Sequence, residues 1–449
     1  MSGSHKTKRM SPRKRVVVAG AVTALVVTAS LLGGVLRHGS SAGQPAAAAA
    51  PAPPDRLQPG FASGDTAAQI ARLQDTLRAS PNDVRSYDLL GLAYQQRARE
   101  TGDPTYYTKS EGVLRRALRL APNDLLATSG LGSLALSRHR FRDALALGRR
   151  ARALSPWTAR DYGVIGDALI EMGRYEEAFR AFDTMSRLKP SLSSYARVAY
   201  ARELLGDVRG SADAMQLSIE AAIGQQEATA WTHVQLGKLF WSQGRITAAA
   251  RQYRDALAAF PGYVYAFDTL AQVEAARGRL KSAIRLERRA VDTIPLPQFV
   301  AFLGDLYRVS GDERAAQEQY ATIGIIRKLL AANGVKTDLE TALFDIDHTI
   351  DLPHALALAR LAHRDRPSID GDDVLAWALA RNGRCGEALR FSKRALRLGT
   401  LDAPKFFHRG MIERCLGHGA EAKSWFRRAL ALNPHFSVLW APVARRYAA

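Results

Sequence analysis

The sequence predicts an all-α fold, a solenoid of antiparallel helical hairpins. Three observations carry the prediction: small residues at fixed offsets, prolines 34 residues apart, and a glycine near the middle of most units. Gly132 is followed by Ala144, Ala151 and Pro156, Gly166 by Ala178, Met185 and Pro190, and Gly237 by Ala249, Ala256 and Pro261. The same offsets of 12, 19 and 24 residues run from Ala271 to Ala283, Ala290 and Pro295, and from Gly410 to Ala422, Ala429 and Pro434. Pro122, Pro156 and Pro190 are spaced by 34, as are Pro261 and Pro295.

Each regularity has a physical reading. Two antiparallel helices approach closely only where their facing side chains are small, and proline stops the second helix before the next hairpin starts. Gly173, Gly244, Gly278, Gly311, Gly383 and Gly417 fall where the first helix must end, and glycine takes the left-handed conformation that ends it. Apolar residues at helical spacing, such as Leu236, Phe240 and Tyr253, are expected to fill the space between units.

Some stretches depart from the pattern. The first full unit, with Leu90, Gly91 and Tyr94, carries about seven extra residues around Gly102 to Thr108. The unit from Tyr195 to Ile219 has no closing proline, and Ile325 to Val335 is expected to form an extended junction. A half-unit from Thr66 to Ala79 and a closing helix from Ser437 to Tyr447 are expected to cap the ends.

On these residues the chain resembles the tetratricopeptide repeat family, whose unit is 34 residues. The resemblance covers residues 84–436 and implies a right-handed α–α superhelix of about ten repeats, with capping helices, over residues 63–449. It also implies that the first helices of successive units line a concave groove for a peptide, a helix or an extended segment of a partner. The matching positions are Tyr200, Trp231, Lys238, Trp241, Tyr265, Phe344, Trp377, Phe407 and Met411, with Trp231 and Trp241 the foremost aromatic anchors. Lys238 lacks the Lys and Asn companions of the family's clamp for a terminal carboxylate.

Ahead of the array, residues 1–15 are basic, and residues 16–36 contain no charged side chain. A helix of that length spans the ~30 Å hydrocarbon layer, and the preceding cations favour a cytoplasmic N-terminus. The expectation is a single-pass signal-anchor helix, with residues 37–62 as an Ala/Pro/Gly-rich linker and the repeat body outside the cytoplasm. The alternative is a cleaved secretory signal, for which Ser40, Ser41 and Ala42 offer small residues.

With 47% hydrophobic and 24% charged residues the chain falls outside the disordered class. The net charge of +20 suits polyanions. Its arginines, however, alternate with alanine and leucine along helix faces and form no dense block, so no nucleic-acid partner is expected. There is no phosphate loop, nucleophile elbow or paired-cysteine metal motif, and no sequence is left over for a catalytic domain. The expectation is a non-catalytic interaction scaffold at the outer face of a membrane, with a protein or peptide partner, no cofactor and no small-molecule substrate. An accessory role in a secretion or envelope-assembly machine is the alternative.

Two local features stay open. Asp345, Asp347, His348, Asp351 and His354 are the densest group of potential metal or acid–base residues, but they straddle a helix end and the start of the next helix, so they diverge. A metal-dependent enzyme built on them is the remaining reading. Cys385 and Cys415 lie fifteen residues either side of Thr400, where an antiparallel pair brings them level. They form either a disulfide or two buried thiols.

Overall fold

The computed structural model describes residues 66–449, and among these it contains 22 α-helices and no strand. The basic segment 1–15, the anchor expected at 16–36 and the linker at 37–62 lie outside the described residues. No helix among the described residues is long and apolar enough to cross a membrane.

Helix α1 (Thr66–Ala79) packs on α2 (Val84–Thr101), which pairs with α3 (Thr105–Leu120) as unit 1. Units 2 to 5 are α4 (Leu125–Ser137) with α5 (Phe141–Leu154), α6 (Ala159–Glu171) with α7 (Tyr175–Leu188), α8 (Leu192–Leu204) with α9 (Val208–Glu220), and α10 (Gln226–Ser242) with α11 (Ile246–Ala259). Units 6 to 8 are α12 (Val264–Ala276) with α13 (Leu280–Thr293), α14 (Pro297–Val309) with α15 (Glu313–Ala332), and α16 (Asp338–Asp347) with α17 (Leu352–Asp365). Units 9 and 10 are α18 (Ile369–Arg381) with α19 (Cys385–Ala395) and α20 (Ala403–Cys415) with α21 (Gly419–Leu432), and α22 (Trp440–Ala448) closes the array.

First and second helices differ in how they are enclosed. Helix α4, with no charged residue, is buried on nearly every side, whereas the charge-rich α13 buries only Ala283, Glu287 and Ala290. Consecutive first helices also touch one another, as α2 does α4, α10 does α12 and α18 does α20. A helix apolar all round must be enclosed, and one with a single apolar stripe sits at the surface. First helices therefore form the inner wall of a curved array and second helices the outer wall.

Within a unit the close approach is a ring laid on a glycine. Phe182, Tyr253, Tyr320 and Phe426 on second helices cover Gly166, Gly237, Gly304 and Gly410 on first helices. A methyl group at Gly410 would stand only 2.7 Å from Phe426. Unit 6 departs from this: the matching position holds Glu287, fully buried, and neither carboxyl oxygen has a hydrogen-bond partner. Burial pushes its pKa far up, so it is held protonated.

The extended junction expected at Ile325 to Val335 is not there. Helix α15 runs on to Ala332 because Ile323, Ile326 and Leu330 find a second core to enter, formed by Tyr107, Leu114 and Leu131 of units 1 and 2. This contact reaches across the molecule, since the superhelix closes on itself.

The turns inside units 2 to 5 dock on the loops that follow units 7 to 10. The Lys336 amide donates to the Arg138 carbonyl at 3.1 Å, and the Ile369 amide to the Tyr175 hydroxyl at 2.7 Å. Thr400 donates to the Leu204 carbonyl, and the Asn433 side chain to the Trp241 carbonyl at 2.8 Å. Arg366 bridges Glu171 at 2.9 Å and Glu340 at 2.6 Å. The seam bonds of Asn433 and Thr400 join residues 192 and 196 positions apart, so one superhelical turn takes between five and six units. Gly206, at φ +77°, lies on the seam, where a methyl group would stand 2.7 Å from the Gly399 carbonyl oxygen.

A closed inner channel as the candidate functional site

Because successive turns touch, the face enclosed by the first helices is an internal channel and not the open groove that the repeat pattern implies. Lys238 on α10 shows the character of this space. It is exposed to water, yet desolvation by surrounding protein depresses its pKa. Both properties fit a side chain on the inward-facing wall, flanked by protein yet reaching solvent.

Around Lys238 the wall carries charges from distant parts of the chain. Glu203 on α8 faces Asp402 and Lys405 from unit 10, Asp370 from α18 and Lys238 from α10, and desolvation raises its pKa to about 7. Asp268 on α12 is raised to about 6 by burial against the pull of Lys238, and it accepts from the Gln272 amide at 3.2 Å. Lys405 lies between Asp370 at 2.7 Å and Asp402 at 2.6 Å. Burial works to raise Asp370, but Lys405 outweighs it and holds that carboxyl below the usual range.

Farther along, the C-terminal wall is a bonded network. Asp347 accepts from the indole N–H of Trp377 at 2.9 Å and of Trp440 at 3.1 Å. Trp377 stacks on His408, whose Nδ1 meets Asp373 Oδ2 at 2.9 Å. Burial would depress the pKa of His408, but the Asp373 carboxylate raises it. His348 is raised in the same way by Asp305, 2.7 Å away.

Of the nine expected groove residues, Tyr200, Lys238, Trp241, Tyr265, Phe344 and Met411 keep surface open to solvent. Trp231, Trp377 and Phe407 do not: they are 3%, 1% and 0% exposed and belong to the core. Trp377 and Phe407 are sealed by Trp440 of the closing helix, and Phe407 also by Phe436, so they brace the C-terminal end and cannot anchor a partner from its surface.

The charged wall was missed by sequence reasoning, although a signal was there. Glu203 and Asp268 each follow an expected groove aromatic, Tyr200 and Tyr265, by three residues, and Asp370 and Asp373 precede Trp377 by seven and four. All lie on the same helix stripes.

The group from Asp345 to His354 does not converge. Asp345 pairs with Arg327 at 3.0 Å, Asp347 turns to the indoles, His348 to Asp305, and Asp351 caps α17 by accepting from the His354 amide at 3.1 Å. No group of three or more metal-ligating side chains is formed among the described residues. Cys385 and Cys415 stand with Cα atoms 6.1 Å apart, joined as a disulfide between α19 and α20.

The fold and channel define a tetratricopeptide-like helical repeat scaffold. The tetratricopeptide repeat family model matches residues 106–156, spanning α3 to α5, and 234–296, spanning units 5 and 6. Human IFIT1, solved as a dimer with PPP-AAAA, is similar at 14% identity over 84% of this chain and 96% of that one, with a TM-score of 0.40. TTC0263, a thermophilic repeat protein of Thermus thermophilus, is similar at 21% identity over 43% of this chain and 98% of its own, at 0.37. Pseudomonas aeruginosa pilF is similar at 17% over 53% and 97%, at 0.36. No curated protein matches the sequence.

Proposed function

We propose that the chain is a non-catalytic scaffold, held by residues 16–36 at the outer face of a membrane, that takes an extended segment of a protein partner into its inner channel. The observation that carries this reading is the enclosed, wet wall of first helices, which keeps Tyr200, Lys238, Tyr265 and Met411 open to solvent while the outer helices are charge-covered. An elongated interior of this kind fits a chain segment better than a compact molecule. The uncharged stretch at 16–36, with cations before it, supports the membrane location.

The test is site-specific photocrosslinking in native membranes. A crosslinker replacing Tyr200 or Met411 should capture a discrete partner, and one replacing the outward-facing Trp157, 80% exposed, should not. Capture from Trp157 alone would refute the channel as the binding surface. Protease added outside intact cells should reach the repeat body, and a body reached only after lysis would remove the location.

A further inference from the structure

We propose that the occupant of the channel is a cationic, extended segment, whose lysines and arginines meet the carboxylates on the inner stripes of α8, α12 and α18. The inference rests on the channel being the partner site, and it adds the chemistry of the partner.

The first argument is the separation of charge between the walls. Arg149, Arg150 and Arg152 of α5, Arg285, Arg288 and Arg289 of α13, and Arg390, Lys393 and Arg394 of α19 are exposed on second helices. The inner stripes and the turn before α20 instead carry Glu203, Asp268, Asp370, Asp373 and Asp402 against two lysines, Lys238 and Lys405, the second already held by Asp370 and Asp402. Glu203 has no cation within 4.0 Å among the described residues, and the oxygens of Asp268 meet only the Gln272 amide. A cationic chain is therefore repelled by the outside and attracted to the channel.

The second argument is independent of net charge. Asp373 Oδ1, on a residue only 6% exposed, has no hydrogen-bond partner, while its Oδ2 meets His408. Asp373 shares its helix stripe with Asp370 and Arg381, which keep open surface. This is an acceptor without a donor, and an orphaned buried acceptor costs free energy that an incoming N–H removes. Lysine and arginine are the side chains that offer donors and no acceptor.

The test uses the full-length chain in nonionic micelles and fluorescence anisotropy with three short labelled peptides: Lys/Arg/Gly, Glu/Gly and Ser/Gly. The cationic peptide should bind, more weakly as salt rises, and the Glu203→Gln, Asp268→Asn double variant should lose roughly tenfold in affinity. Arg288→Gln with Arg289→Gln, on the outside, should not weaken binding. Affinity should also rise from pH 6 to pH 8. Over that range Glu203, facing Asp402, Lys405, Asp370 and Lys238, and Asp268, facing Lys238 and Glu287, lose their protons.

Unchanged affinity in a double variant that melts normally, or preference for the acidic or uncharged peptide, would overturn the proposal. A segment captured from Tyr200 that lacks lysine and arginine would end it while leaving the scaffold reading intact. Failure of every inner crosslink would end both.

Discussion

At the scale of single residues, two buried charged groups mark where the wall deviates from simple apolar packing. Arg197 and Asp167 are 3% and 4% exposed and form a two-pronged ion pair between units 3 and 4, with Nε at 2.8 Å from Oδ1. Removing one partner leaves the other charge stranded, so Arg197→Met should cost about 3–5 kcal/mol in urea unfolding, and adding Asp167→Leu should recover much of it. Glu287 presents the opposite case, an acid with no partner where other units place a ring. Glu287→Leu should stabilise the chain by roughly 1–3 kcal/mol, read as a higher urea midpoint at constant slope, and a lower midpoint would mean that the carboxyl has a partner. The offsets of small residues and prolines were legible because each residue type acts through its own backbone or size. Glu287 was not legible as buried, since its type favours the surface and only the register with Gly237–Tyr253 and Gly410–Phe426 places it inside.

At the scale of helices and turns, the docking of one superhelical turn on another depends on glycine. Gly206→Ala places a methyl group against the Gly399 carbonyl in a conformation that costs an L-residue about 1–2 kcal/mol. Hydrogen exchange should accelerate around 204–208 and 398–402 together while α12 and α13 stay protected, and uniform acceleration would contradict a local seam. The Cys385–Cys415 bridge closes a span of 30 residues across α19 and α20. Its reduction should lower stability by roughly 2–4 kcal/mol, and a mass unchanged by reductant would show that no bond had formed. The hairpins and their turns were readable from spacing, even in unit 4, where no proline closes α9. The continuation of α15 was not, because what sustains it is a core supplied by units 1 and 2, some two hundred residues earlier.

At the scale of the whole molecule, buried acids and histidines set a pH dependence of one sign. Asp88 is raised to about 8 by desolvation and the nearby Asp124, Asp161 to about 6 by burial, and Glu203 to about 7, all above their unfolded values near 4. The folded state therefore binds more protons than the unfolded chain between about pH 4 and 8, and stability falls as pH rises through that window. His348 and His408, raised by Asp305 and Asp373, contribute stability that is complete in mild acid and is lost as pH rises through their folded values. Both sets act together, so the denaturant midpoint should be highest near pH 5 and decline toward pH 8. Carboxyls held low by cations, such as Asp370 beside Lys405 and Glu340 beside Arg366, oppose this only in stronger acid. A midpoint that rose steadily from pH 5 to pH 8 would show that these groups are not enclosed.

The sequence by itself determined the hairpin, its repeat length, its turns and the order of units, because each follows from contacts between residues fewer than 34 positions apart whose sizes are visible in the letters. Only the tertiary structure decided that the array curls tightly enough for its turns to meet, that the groove becomes a channel, and which of the groove aromatics are sealed in the core. Those outcomes depend on small rotations between units that accumulate over five or six of them, and no local pattern records their sum.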